Sequence, residues 1–348
     1  MKTVNNTFSL LAVAMLAAGV ANAQGPTNTY GGNPIRPVVA PTNTHSPNAT
    51  VDGASAGSYS KTYSDYSQDS YVSQTGSGNY ATVDQVNTGG PNNGGSTAIL
   101  EQNGDYNNAK QTQSAAGDVK YGSYSGDPST NRNLAKATQN GLKSQVDQTQ
   151  SGGLADVMKI VQGAGTKGNR AIQTQGPDAT GAGSSNQAEI NQTKYATEGG
   201  GSGNRAEQAQ TGINHVAKID QEASNSYAKQ TQGGSSFQGG ANNAYIHQGD
   251  PGNANTAVQD QNGAGNTARI QQSVSSTANN NYAEQKQTMS GNQADITQRS
   301  SSNYAEQKQS GLGMLGGYNY SGITQSNVAS AAYTTQSGNN NAVVITQH

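Results

Sequence analysis

The chain has 348 residues, 19 Lys+Arg against 21 Asp+Glu, and a formal net charge of −2. A balance this close to neutral gives no electrostatic footprint for a polyanion, so no nucleic-acid partner is expected. Charged residues make up 11% and the aromatics are 17 Tyr and two Phe, with no Trp and no Cys, which excludes a conventional globular core of this length or a disulfide-stapled one. Two classes remain: a disordered polar chain, or a repeat architecture held mainly by hydrogen bonds.

Taken in chain order, the first feature is a leader. Lys2 precedes small and apolar residues from Phe8 to Val20, and Ala21-Asn22-Ala23 comes next. Residues 1–23 therefore read as a signal peptide cleaved after Ala23, with an uncleaved anchor as the alternative. The apolar run is too short for a permanent transmembrane helix, and the chain has no second such stretch. The mature chain is expected to be secreted to the cell surface without inserting in a membrane. Its balance is 18 positive residues (19 less Lys2) against 21 negative, close to −3.

Residues 24–67 differ in composition from the remainder of the chain. They hold five of the nine prolines, Pro26, Pro34, Pro37, Pro41 and Pro47, among Gly, Asn, Thr and Ser. That composition reads as a flexible low-complexity linker.

From residue 68 to 348 a heptad recurs. Asn281-Tyr282-Ala283-Glu284-Gln285-Lys286-Gln287 is repeated identically at 303–309, 22 residues later, and Asn292 to Gln298 lies midway. The shared pattern is Asn-x-Ala-x-(Ile or Gln)-x-Gln, and 21 copies can be traced, ending at Gln74, Gln85 and so on to Gln347. The fifth position alternates. One class carries an apolar residue, such as Ile219, Ile246, Ile270, Ile296, Ile323 and Ile345; the other carries Gln, with Val83 and Thr334 as its two exceptions. A disordered chain needs no such register.

The heptad makes sense as a β-strand. Positions 1, 3, 5 and 7 fall on one face because side chains alternate with period two. That face is Asn, Ala, Ile or Gln, and Gln, and is expected inside; positions 2, 4 and 6 carry Tyr, Glu, Lys, Arg, Asp and Thr and are expected in solvent. A helix would scatter the four positions round its cylinder. Short segments such as Thr75-Gly76-Ser77-Gly78 and Asn103-Gly104-Asp105-Tyr106 separate the heptads and suit tight turns with positive φ. The expected fold is all-β: a β-solenoid of stacked strand-turn-strand repeats, two strands per rung and about ten rungs, ~50 Å long at the spacing of hydrogen-bonded strands.

In such a stack each interior amide meets its equivalent one rung away. The predicted amide ladder comprises Asn281, Gln285, Gln287, Asn292, Gln298, Asn303, Gln307 and Gln309, with Gln259, Gln261, Gln230 and Gln232. A buried amide left unpaired costs about 1–3 kcal/mol, so these residues should enforce register. Ile219, Ile246, Ile270, Ile296, Ile323 and Ile345 form the predicted apolar ladder, and small Ala at position three lets the sheets approach. The last heptad offers Asn341, Val343, Ile345 and Gln347 as a polymerisation edge, because an uncovered strand templates another. The expected partner is therefore a second copy, stacked head to tail.

The string Gln-x-Gly-x-x-Asn-x-Ala, at Gln74, Gly76, Asn79 and Ala81 and again at Gln102, Gly104, Asn107 and Ala109, resembles the curlin repeat. The likeness extends from about residue 68 to 347. It implies a curli-like functional amyloid of the biofilm matrix, an outer-membrane export pore of the curli type and a nucleator subunit as partners. It also implies an export role for residues 24–67, for which a mere spacer is the alternative. The repeat number is about twice that of a typical curlin, several turns lack Gly, and long loops at 114–132 and 193–203 interrupt the pattern.

No catalytic, cofactor or metal constellation stands out, and no enzyme is expected. Gly163 to Gly168 matches GxGxxG but joins two heptads and opens no helix. His45, His215, His247 and His348 are scattered, with His247 at an outward position. Asp84 and Glu101 read as solvated surface, and Tyr282 and Tyr304 as an outer-face stack. A nucleator of the same fibre and a monomeric solenoid adhesin are the competing readings. Ice binding is disfavoured on the expectation that outward Thr ladders are missing.

Overall fold

The computed structural model describes residues 29–30, 33–34, 69–87, 96–115, 133–151, 156–176, 186–193, 201–234, 241–249, 252–272, 279–312 and 319–348. The leader at 1–23, nearly all of the 24–67 segment and the centres of both long loops, 116–132 and 194–200, lie outside the described residues. Within the 24–67 segment, Thr29–Tyr30 pairs antiparallel with Asn33–Pro34.

The described residues from 69 onward form an all-β solenoid with no helix among them. Eleven parallel strands make one sheet and ten make the other, and consecutive strands of the chain alternate between the two. The eleven-stranded sheet begins at Asp69–Gln74 and ends at Ala342–Gln347; it carries the apolar fifth positions and is here called the isoleucine sheet. Its partner, the glutamine sheet, begins at Tyr80–Asn87 and ends at Ala331–Ser337.

Pairing within both sheets is parallel and in heptad register. Ile270 lies beside Ile246 and Ile296, and Gln285 beside Gln259 and Gln307. Burial alternates along each strand: Ala283, Gln285 and Gln287 are inside while Tyr282, Glu284 and Lys286 are not. A slip of one residue would turn the whole amide and alanine set outward, so this register is strongly specified. The main core is a file in which apolar residues of the isoleucine sheet meet alanines of the other, running from Leu100 and Ala109 through Ile219 and Ala228 to Ile323 and Ala332, with a smaller cluster of Ala135, Met158 and Ala188 beside it. Each fully buried isoleucine contributes about 1.5–3 kcal/mol. Alanine opposite it keeps the sheets close enough for glutamine to reach across.

The turns follow a rule of their own. In most heptads the residue just before position one has a left-handed backbone: Gly78, Gly168, Gly203, Gly265 and Gly291 do so, and Tyr106, Lys143, Asn214, Asn225, Ala254, Asn280, Ser302, Ala329 and Asn340 do as well. A second left-handed site falls two residues after the terminal Gln, at Gly76, Gly212, Gly234, Gly263, Gly338 and Met289. Glycine is required at Gly263, with φ of +137° and space for a Cβ only 1.8 Å from the Met289 carbonyl oxygen. Turn backbones stack as closely as strands do.

The candidate functional site: amide ladders and the solenoid edges

The seventh-position glutamines form two unbroken ladders. In the isoleucine sheet, Nε2 of each donates to Oε1 of the next from Gln74 to Gln102, onward through Gln221 to Gln248 and Gln298 to Gln325, and finally to Gln347, at 2.6–2.9 Å. In the glutamine sheet the same chain runs from Gln85 to Gln113 and reaches Gln336 from Gln309. Gln232 donates to Gln261, Gln261 to Gln287 and Gln287 to Gln309, each at 2.9 Å. The fifth-position ladder adds Gln230 to Gln259, Gln259 to Gln285 and Gln285 to Gln307, also at 2.9 Å.

Every one of these donors points toward the higher residue number, so the side-chain amides are aligned along the solenoid axis. Chains of bonds aligned this way polarise one another. One end of each ladder presents acceptors and the other donors.

The amides use their second hydrogen across the core. Gln285 Nε2 reaches the Arg269 carbonyl at 2.9 Å, Gln287 that of Thr267 at 3.0 Å and Gln298 that of Tyr282 at 2.9 Å. These bonds tie sheet to sheet as well as rung to rung, a role that strand periodicity alone does not disclose. The asparagines at position one perform a different task. Oδ1 of Asn281 accepts the backbone N–H of Asn303, and Oδ1 of Asn266 that of Asn292, both at 2.9 Å. Nδ2 then caps the turn, as Asn303 does on the Ser300 carbonyl and Asn292 on that of Thr288. Asn281 is the exception, its Nδ2 being buried with no partner. All twelve predicted ladder residues are buried, as are Ile219, Ile246, Ile270, Ile296 and Ile323.

Two substituted rungs in the asparagine column carry charge chemistry that the heptad pattern does not announce. Asp156 occupies position one, fully buried. Its Oδ1 accepts the Asn186 N–H at 2.9 Å, as an asparagine would, but Oδ2 has no partner. Burial pushes its pKa from 3.8 up to about 7 against the opposing pull of that bond. Two rungs on, His215 takes the same position. Nδ1 accepts the Asn242 N–H at 3.2 Å and Nε2 lies 3.1 Å from the Thr211 carbonyl, which defines a neutral ring protonated at Nε2. Burial holds its pKa below 6.5. A signal for both was present in the sequence: they stand where other heptads carry Asn.

The two exceptions in the glutamine column lie at its two ends. Val83 belongs to the first strand of the glutamine sheet and Thr334 to the last. Because Val83 has no amide, Gln111 Oε1 above it is buried without a partner, a cost of about 1–3 kcal/mol. At the other end, Gln307 turns its amide to the Asp295 and Ser321 carbonyls, and Thr334 Oγ1 meets Ser321 Oγ at 2.7 Å.

The predicted edge residues Asn341, Val343, Ile345 and Gln347 are half-buried, whereas Asn319, Ser321, Ile323 and Gln325 one rung below are buried. Inward contacts are complete: Asn341 N–H reaches Asn319 Oδ1 at 3.1 Å, and Ile345 packs against the core file. Gln347 Nε2 donates to the Ala331 carbonyl at 3.0 Å, leaving its other hydrogen directed along the axis.

The outer faces are solvated. The Tyr282 and Tyr304 rings stack at 4.9 Å, and their hydroxyls donate to Glu284 and Glu306. Asp84 is exposed on that side, as expected, while Glu101 is half-buried and accepts from Thr138 Oγ1. His247 is half-buried on the outer face, 3.9 Å from Glu222, and His348 is exposed, while His45 lies outside the described residues. Gly163 to Gly168 is a turn between Val157–Gln162 and Arg170–Gly176, closed by Thr166 Oγ1 on the Gly163 carbonyl. Contrary to expectation, Thr112, Thr149 and Thr174 do align as an outward threonine ladder. All three hold the sixth heptad position of successive glutamine-sheet strands, so the heptad register itself aligns them.

No family model matches the chain, and no curated protein matches it.

Proposed function

We propose that the chain is the structural subunit of an extracellular, curli-like amyloid fibre that grows by head-to-tail stacking and contributes to biofilm matrix and adhesion. The observation that carries this reading is the pairing of unbroken seventh-position glutamine ladders with an edge strand that no other described strand covers. The interior face of Ala342–Gln347 is built like the buried strands below it, yet it lies half exposed. A strand in that state is a template for another of the same pattern. A second copy supplies Asn, Ala or Ser, an apolar residue, and Gln at matching positions.

Export belongs to the same proposal: the leader at 1–23 rests on Lys2, the apolar run and Ala21-Asn22-Ala23, while an outer-membrane pore and priming by a nucleator rest on the curlin resemblance. Incubating the purified chain with thioflavin T, then imaging by electron microscopy and recording fibre diffraction, tests it. Growth after a lag into fibres with a meridional spacing of ~4.8 Å is expected. A persistent monomer at high concentration would instead favour a solenoid adhesin, and acceleration of another subunit by trace amounts would favour a nucleator.

A further inference from the structure

We infer that successive copies in the fibre are related by a half-turn about its axis, so that the isoleucine sheet of one copy continues as the glutamine sheet of the next. This rests on the proposed head-to-tail fibre and specifies its junction.

Among the described residues, eleven strands in one sheet and ten in the other make ten and a half rungs. If copies stacked without rotation, the isoleucine sheets would meet while the glutamine sheets stopped one strand short of each other. A buried gap of one strand would leave two rows of backbone N–H and C=O groups unpaired, which protein interiors do not tolerate. A half-turn closes both sheets at once. The rung permits it, since both of its strands carry the same heptad and succeed one another round the axis.

The side chains at the ends fit this rotation. With a half-turn, the first glutamine-sheet strand, Tyr80–Asn87, settles on Ala342–Gln347, and Asp69–Gln74 settles on Ala331–Ser337. Val83 then lies over Ile345, and Val72 over Thr334. The glutamine column thus lacks Gln at its two terminal rungs, where the rotated neighbour presents the apolar column. A glutamine at 83 would place its amide over Ile345, and one at 334 would place it under Val72.

Other columns continue unbroken. Gln347 Nε2 meets Gln85 and Gln336 Nε2 meets Gln74, in the donor direction of the existing ladders. Asn79 succeeds Asn341 in the asparagine column. On the outer face Tyr333, which already packs on Tyr304 at 5.2 Å, would be succeeded by Tyr71.

Engineered disulfides read the junction directly, because the chain has no cysteine of its own. Adjacent parallel strands lie ~4.8 Å apart, within disulfide reach. Val344 and Thr82 hold the fourth position of the strands that a half-turn brings together, whereas an unrotated stack brings Val344 to Tyr71. Fibres of the double variant Val344→Cys/Thr82→Cys should give a ladder of covalent multimers on mild oxidation, and Val344→Cys/Tyr71→Cys should not. Thr335→Cys/Ser73→Cys, at the sixth position of the other junction strands, should behave as the first pair does. Cross-linking of Val344→Cys/Tyr71→Cys, or of none of the three in well-formed fibres, overturns the half-turn and leaves the fibre standing. Absence of fibres from the unmodified chain overturns both.

Discussion

Gln287 donates from Nε2 to Gln309 Oε1 over 2.9 Å while accepting from Gln261 at the same distance. It is one link of a polarised chain of amides, held from the side by the Thr267 carbonyl at 3.0 Å.

Gln287→Leu should therefore destabilise the solenoid more than its change in volume implies. It leaves Gln261 Nε2 short of an acceptor and Gln309 Oε1 short of a donor in a buried column. At about 1–3 kcal/mol for each of the two orphaned groups the loss is about 2–6 kcal/mol. Urea denaturation of freshly prepared monomer measures it. In a double-mutant cycle with Gln309→Leu, the second substitution should cost less than it does alone, because an apolar pair removes the unpaired groups between the two sites.

Asp156 should make the fold less stable as pH rises. Its folded pKa, raised to about 7 from 3.8, means the unfolded chain releases this proton first. Stability should fall between about pH 4 and pH 7 and level off above that, by a few kcal/mol at ~1.4 kcal/mol per unit. Asp156→Asn restores the column residue and should abolish that slope, raising the neutral-pH denaturation midpoint while leaving the pH 3 value nearly unchanged.

His215 works in the opposite direction. Burial lowers its pKa, so the unfolded chain takes up a proton that the folded chain refuses, and stability is lost as pH falls below 6.5. A proton on Nδ1 would also face the Asn242 N–H it now accepts. His215→Asn should flatten the acid side of the stability profile, and NMR of the imidazole in the parent chain should show the neutral Nε2–H tautomer at pH 6.5.

Ala254 and Ala329 hold φ of 56° and 57°, in the position that glycine fills at Gly265 and Gly291. A left-handed backbone costs an L-residue roughly 1–2 kcal/mol, against roughly 0.5–1 kcal/mol of added chain entropy for glycine. Ala329→Gly should be neutral to stabilising, by up to about 1.5 kcal/mol. The same change at Ala332, whose side chain is buried in the core file, should destabilise. Thermal melts of the two variants side by side check the contrast.

The strand, its inward face and the division into two columns were legible in the sequence. Period-two alternation is a local property, and 21 heptads of one shared pattern repeat it. Stacking Gln285 on Gln307 results from that repetition alone. The tertiary structure decided what depends on neighbours distant in sequence: the amide bonds across the core and the left-handed residue that precedes most first positions. It also set the character of Asp156 and His215, because an ionisable group's pKa is fixed by burial and partners that only stacking brings.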